Sequence, residues 1–251
     1  MSRLEGKSAI VVGASRGLGR GVAQSLSAAG ASVLAIARGE AELSELTAAD
    51  PSIIVRAADA RDPSVAADTI AARDPGLLAV VAGASPQMHP IHQQTWESFS
   101  ENWQVDVQLT FNWLREALRK PLRPGSRVLL MSSGAAVAGS PLSGGYAGAK
   151  ATIRFMAAYA DEEARRSELG IRVLAVLPKL TPATALGQAA VRGYAERNGI
   201  SEEQYASRFG APLTPELAGT AFLELAAGEL SDDVAYLLTG DSGLAALPAR
   251  G

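Results

Sequence analysis

The 251-residue chain contains no cysteine. That excludes disulfides, thiolate nucleophiles and cysteine-ligated metals, and leaves oxygen, nitrogen or a bound cofactor to do any chemistry. Histidine is scarce as well, with only His89 and His92 in "MHPIH". Two close imidazoles are zinc ligand types, but no third ligand lies near them in sequence, so they read as a pocket rim and no metal is assigned. The formal net charge is only -3. No run of lysine and arginine is dense enough to track a phosphate backbone, which argues against nucleic acid as a partner. No apolar stretch reaches the roughly 18 residues that span a bilayer. The start "MSRLEGKSAIVVGAS" runs directly into a strand and a glycine turn rather than a cleavable leader. A soluble cytoplasmic protein with no membrane partner is expected.

What is present is apolar: 47% of the residues are hydrophobic, enough for a sizeable core in one α/β domain. Short β-rich runs, "SAIVVGA", "ASVLAIA", "SIIVRAA", "LLAVVAG", "SRVLLMSS" and "IRVLAVLP", alternate with helix-like segments. That alternation predicts a parallel sheet covered on both faces by helices. Helices are predicted over 17–29, 40–48 and 95–118, ending at Gly30, before Asp50-Pro51 and before Pro121. The third carries Trp96, Phe99, Trp103, Phe111 and Trp113, for a core or a protein partner. With no linker or repeat, a single domain over 1–251 is expected. Residues 181–212 mix Pro, Gly and polar residues with Leu186, Val191, Tyr194, Tyr205 and Phe209, the composition of a substrate lid.

The first strand runs into "GASRGLG", where Gly13, Gly17 and Gly19 frame Ser15, Arg16 and Leu18 ahead of a helix. Glycines at this spacing let backbone N–H groups face a pyrophosphate without Cβ atoms in the way; the plainer alternative is a tight strand-to-helix crossing. The second strand ends at Arg38, where a dinucleotide fold addresses the adenosine ribose, and no acidic residue stands at that turn. Arginine there pairs with a 2'-phosphate, and Arg16 supplies a second charge, so NADP(H) is favoured over NAD(H) unless both are ordinary surface residues. Asp59, followed by Ala60, is placed either to accept from an adenine amino group or to cap its own turn.

In "SGGYAGAKATIRF" Tyr146 and Lys150 stand four apart, on one face of any helix over 144–168. A neighbouring ammonium stabilises a phenolate, which lets a tyrosine exchange protons near neutral pH. Ser133, at the end of "VLLMSS", can reach the same substrate oxygen. Taken with the glycine turn, Asp59 and Ala82-Gly83 of "VVAG", this set resembles the short-chain dehydrogenase/reductase superfamily, classical type, over essentially the whole chain. The resemblance implies a Rossmann-like, doubly wound sheet of order 3-2-1-4-5-6-7 with the site at the carboxyl ends of the strands. It implies that Tyr146 exchanges the proton, Ser133 orients the oxygen, and Lys150 binds the nicotinamide ribose and modifies the tyrosine. A homodimer or homotetramer is also implied.

Several positions depart from that pattern. Val12 replaces the threonine before Gly13, and Val80-Val81 replace paired asparagines. Asp106 falls where the family carries an active-site asparagine that orders a water path to the lysine. Its backbone carbonyl can keep that path, its side chain can ionise beside Lys150, or it can simply cap or kink its helix. Pro178 is followed by Lys179 instead of glycine, and either Thr181 or Thr184 stands for the threonine that contacts the carboxamide. The expected function is interconversion of a carbonyl and a secondary alcohol, a ketoreductase acting on a fairly hydrophobic small molecule. The alternative is a cofactor-binding accessory or regulatory protein without redox turnover.

Overall fold

Alternate residues of the first strand, Ala9 and Val11 against Ile10 and Val12, are all fully buried but enter two different hydrophobic clusters. A strand buried on both faces belongs inside a layered α/β sheet. The structure, a computed structural model, describes residues 3–229 and 231–248. The remaining six residues of the expected 1–251 domain lie outside the described residues.

The elements follow one another as β1 (Ser8–Val12), α1 (Gly17–Ala28), β2 (Ser32–Ala37), α2 (Glu40–Ala49), β3 (Ile54–Ala57), α3 (Pro63–Arg73) and β4 (Leu77–Val80). Then come α4 (Trp96–Asn102), α5 (Gln108–Arg119), β5 (Arg127–Met131), α6 (Ala135–Ala138), α7 (Tyr146–Arg166) and β6 (Arg172–Pro178). The chain closes with α8 (Ala185–Asn198), α9 (Glu202–Ala206), α10 (Pro215–Ala227), β7 (Ala235–Thr239) and β8 (Gly243–Ala246). The sheet order is 3-2-1-4-5-6-7-8. Strands β1 to β7 are parallel, as the apolar runs imply, and the order reverses between β1 and β4, the crevice where such folds take ligands.

Beyond the seven expected strands the sheet adds an eighth. The segment "YLLTGDSGLAAL" makes a hairpin, with β8 antiparallel to β7 and Gly243 in the left-handed region at φ 65°. Gly243–Ala246 is only four residues long, small apart from Leu244 and mostly exposed, so no run of large apolar residues marks it.

One cluster packs α1 and α10 on the sheet through Val22, Leu26, Phe222 and Leu225. The other packs α3, α5 and α7 through Ile70, Trp113 and Ile153. Trp113 is fully buried and its indole N–H donates to the Ala60 carbonyl at 3.0 Å. Truncating such a side chain costs about 3–5 kcal/mol. The predicted 95–118 helix is present but broken in character, since Trp103–Val107 forms one π-helical turn between α4 and α5. Its start is a capping box in which Thr95 accepts from Ser98 N–H and Ser98 accepts in return.

Candidate active site

The glycine turn is built by close approach. Gly13 has φ 91°, and a Cβ there would run into the Ala82 backbone; a Cβ on Gly19 would overlap the Gly13 carbonyl. Arg16 sits at the N-cap of α1 without a side-chain capping bond, and no acidic residue stands in the first turn. The N–H groups of Gly17, Leu18 and Gly19 therefore keep the open, positive end of a helix, which suits a pyrophosphate. These residues fit a dinucleotide cofactor.

Arg38 leaves the carboxyl end of β2 exposed and, like Arg16, makes no ion pair among the described residues. Its charge reaches Asp59. That aspartate takes the turn-capping role: its Oδ1 accepts from the Arg61 backbone N–H at 3.0 Å, and its carboxylate is clamped by the Arg61 guanidinium at 2.6 Å. The Arg61 hydrogen bonds, with a smaller share from Arg38, hold the Asp59 carboxyl down at about 2. Contact with adenine would have to share this carboxylate with Arg61. Ala60 beside it is buried.

Helix α7 begins at Tyr146, whose N–H donates to the Ser143 carbonyl at 3.0 Å. The Tyr146 hydroxyl has no hydrogen bond among the described residues and remains available to a ligand. One turn on, the Lys150 ammonium lies 5.5 Å from the centre of the Tyr146 ring. The pair thus shares a face, as its spacing requires. Ser133 continues from β5 into α6; its Oγ accepts from Ala135 N–H at 3.2 Å, which leaves its own proton free. Its neighbour Ser132 points inward and donates to the Lys150 carbonyl at 2.6 Å.

The structure places the Asp106 side chain beside Lys150 and the residue itself in a distorted helical turn. It lies in the π-helical turn, fully buried, with Oδ2 3.1 Å from Lys150 Nζ. Oδ1 accepts from Ala84 N–H at 2.7 Å, and Asn102 Nδ2 donates to Oδ2 at 3.3 Å. All three partners are donors, and the two carboxyl oxygens supply their acceptors. Burial pulls the Lys150 ammonium down from the ordinary lysine value, but the charges of Asp106 and Tyr146 outweigh it and the net shift is upward. A Cβ on Gly83 would come within 2.8 Å of Oδ2, so Gly83 makes room for the carboxylate. Asn102, which also donates to the Ala84 carbonyl at 2.9 Å, was not singled out from the sequence. Its signal was the i,i+4 spacing to Asp106.

At the end of β6 the Pro178 carbonyl accepts from Gly134 N–H at 2.8 Å, joining this edge to the residue after Ser133. Lys179 is exposed and lies alongside Gly134 without an ion-pair partner among the described residues; nothing in the structure assigns it a role. The two threonines separate cleanly. Thr181 is buried and donates to the Leu213 carbonyl at 2.8 Å, whereas Thr184 caps α8 and its methyl faces Gly17 of the glycine turn. Thr184 is therefore the one at the cleft. Residues 181–212 form α8, α9 and a short 3-10 turn, with Tyr194 stacked on Tyr205 at 5.5 Å. His89 and His92 are both exposed, and the described residues contain no cluster of three metal-ligand side chains.

The short chain dehydrogenase family model matches residues 7–194, which span the glycine turn, Ser133, Tyr146 and Lys150. The chain belongs to the short-chain dehydrogenase family, whose members are oxidoreductases that use a nicotinamide cofactor. A solved short chain dehydrogenase from Mycobacterium avium superposes with a TM-score of 0.76, covering 99% of this chain and 88% of that one at 22% identity. At that identity the likeness concerns the fold. No curated protein matches the sequence.

Proposed function

We propose that the chain is an NADP(H)-dependent oxidoreductase that interconverts a carbonyl and a secondary alcohol. One observation carries this reading: an unbonded Tyr146 hydroxyl stands one helical turn before the buried, ion-paired Lys150, at the same sheet edge as the uncapped start of α1. When bound, the nicotinamide supplies or accepts the hydride. Tyr146 passes the proton at the substrate oxygen, and Ser133 orients that oxygen with its free hydroxyl proton. Lys150 binds the ribose and keeps a positive charge beside the phenol. Gly13, Ser15, Gly17, Leu18 and Gly19 hold the pyrophosphate, while Asp59, Ala60, Ala82, Gly83 and Pro178 border the cofactor cleft. Arg16 and Arg38, both exposed and making no ion pair among the described residues, favour a 2'-phosphate.

The apolar lining of α8 and the aromatic run Tyr194, Tyr205 and Phe209 support a fairly hydrophobic ketone as substrate. No helix among the described residues is long and apolar enough to cross a membrane, in keeping with a cytoplasmic location as part of this reading. Fluorescence titration with NADPH and NADH, followed by a ketone panel read at the nicotinamide absorbance, tests it. Tighter NADPH binding and oxidation by ketones are expected; no binding of either nucleotide would overturn it.

A second reading has its own observation. The Asp106 carboxylate spends part of the Lys150 charge that would otherwise act on Tyr146, which favours a cofactor-binding accessory protein without turnover. NADPH binding with no ketone reduced across the panel would select it.

A further inference from the structure

Resting on the oxidoreductase reading, we propose that Tyr194, Ser140 and Ser143 form a second oxygen-binding subsite in the substrate cleft. The substrate then carries a neutral oxygen function, a second carbonyl or a hydroxyl, besides the oxygen that reacts at Tyr146.

The three residues form a staircase that begins at the catalytic helix. Tyr146 N–H donates to the Ser143 carbonyl at 3.0 Å, and Ser143 N–H donates in turn to Ser140 Oγ at 3.2 Å. From the lid above, the Tyr194 hydroxyl shares a hydrogen bond with Ser140 Oγ. Through Ser140 and Ser143 the Tyr194 hydroxyl is thus tied to the first residue of the catalytic helix. Burial, the main cause, raises the Tyr194 phenol above its ordinary value despite the Ser140 bond and the nearby Arg197, so it stays a neutral donor and acceptor.

Ser143 supplies the independent observation. Its residue is 4% exposed, and its Oγ is buried with no hydrogen-bond partner among the described residues. Buried hydroxyls left unpaired are rare and costly, and a ligand oxygen would satisfy this one. Apolar side chains surround these few hydroxyls, the mix that small-molecule sites use. Tyr194 stacks on Tyr205, Tyr205 meets Phe209 edge-on at 5.4 Å, and Met88 and Leu142 face Gly193 of the same helix. A cluster made only of hydroxyls, without carboxylate or ammonium, suits a neutral oxygen and not an ion.

The test compares two ketones of equal length, one a 3-oxo ester and one lacking the ester oxygens, with the wild-type protein and NADPH. Wild type is expected to favour the 3-oxo ester in kcat/KM, and that preference ratio is expected to fall about tenfold, the worth of roughly one hydrogen bond, in Tyr194→Phe and in Ser140→Ala. Ser143→Ala is expected to lower the ratio while raising the thermal midpoint, since it deletes an unpaired buried hydroxyl. A Tyr194→Phe variant in which both ketones slow by the same factor, or in which neither changes, would overturn the subsite and leave the oxidoreductase reading intact. Failure of wild type to reduce either ketone, or any other in the panel, would overturn the oxidoreductase reading and this inference with it.

Discussion

Lys150 Nζ lies 3.1 Å from Asp106 Oδ2 in the interior, the ammonium side chain 5% exposed and the carboxylate completely enclosed. Buried pairs of this kind owe more to the cost of breaking them than to their net attraction. Asp106→Ala leaves an ammonium without its counter-charge, and urea denaturation is expected to show a loss of about 3–5 kcal/mol.

Asp106→Asn separates charge from shape. Its amide oxygen can still take the Ala84 N–H, but burial then opposes the Lys150 charge with only Tyr146 to offset it. In wild type the folded-state value of Lys150 is raised, so the pair's contribution to stability is complete below the ordinary lysine range and is lost as pH climbs through the raised value. In the variant Lys150 gives up its proton earlier. The alkaline limb of the kcat/KM profile is expected at lower pH than in wild type; an unmoved limb would remove Lys150 as the group that sets it.

Tyr146→Phe is expected to reduce kcat by at least about a hundredfold, the usual scale for a lost acid/base group, while NADPH titration still shows binding. Substantial remaining turnover would take the proton-exchange role away from Tyr146.

Cofactor choice rests on Arg38 and Arg16. Arg38→Asp offers a carboxylate to a free 2'-hydroxyl and repels a phosphate. NADPH affinity is expected to fall by about tenfold to a hundredfold, the worth of a charge-assisted hydrogen bond, with NADH affinity moving the other way. Equal effects on both nucleotides would place Arg38 away from the 2' position.

The outer face of α7 exposes Phe155 and Tyr159, stacked at 6.0 Å and each about two-thirds exposed, and α5 exposes Phe111. Adjacent exposed aromatic side chains of this kind are suited to a contact surface. The homodimer or homotetramer expected from the family is proposed to form here, and Phe155→Arg combined with Tyr159→Arg should lower the sedimentation coefficient. A wild-type protein that sediments as a monomer would rule this out.

Asp161 anchors the far end of the catalytic helix. Its carboxylate is 2% exposed and accepts from Arg165 Nε and Arg172 Nε, each at 2.9 Å, and from Val173 N–H at 2.8 Å. Arg165 also reaches Asp232, and Arg172 donates to the Ser231 and Asp233 carbonyls, so this helix end is held by a network rather than by one pair.

The sequence made the sheet legible because continuous apolar runs report burial on both faces, and it made Tyr146 and Lys150 legible because helical spacing alone aligns them. The hairpin strand β8 escaped because four residues beginning with glycine carry no periodicity to count. Asp106 and the two threonines were ambiguous for another reason. What a side chain meets across a 20- to 45-residue separation, as Ala84 and Lys150 meet Asp106, is set by packing and not by neighbours in the chain. Ser140 and Ser143 gave no local signal, and Tyr194 read as one more apolar residue of the lid.

Helix α5 also works as a measuring rod. Trp113 holds the Ala60 carbonyl and Asn112 donates to the Arg61 carbonyl at 2.8 Å, while Asp106, just before the helix, holds Lys150. The two places lie seven residues apart on one helical stretch, a rise of about 10 Å. The separation between the turn at Asp59 and the lysine that steadies Tyr146 is therefore inherited from helical geometry, and changes in the length of the surface loops leave it untouched.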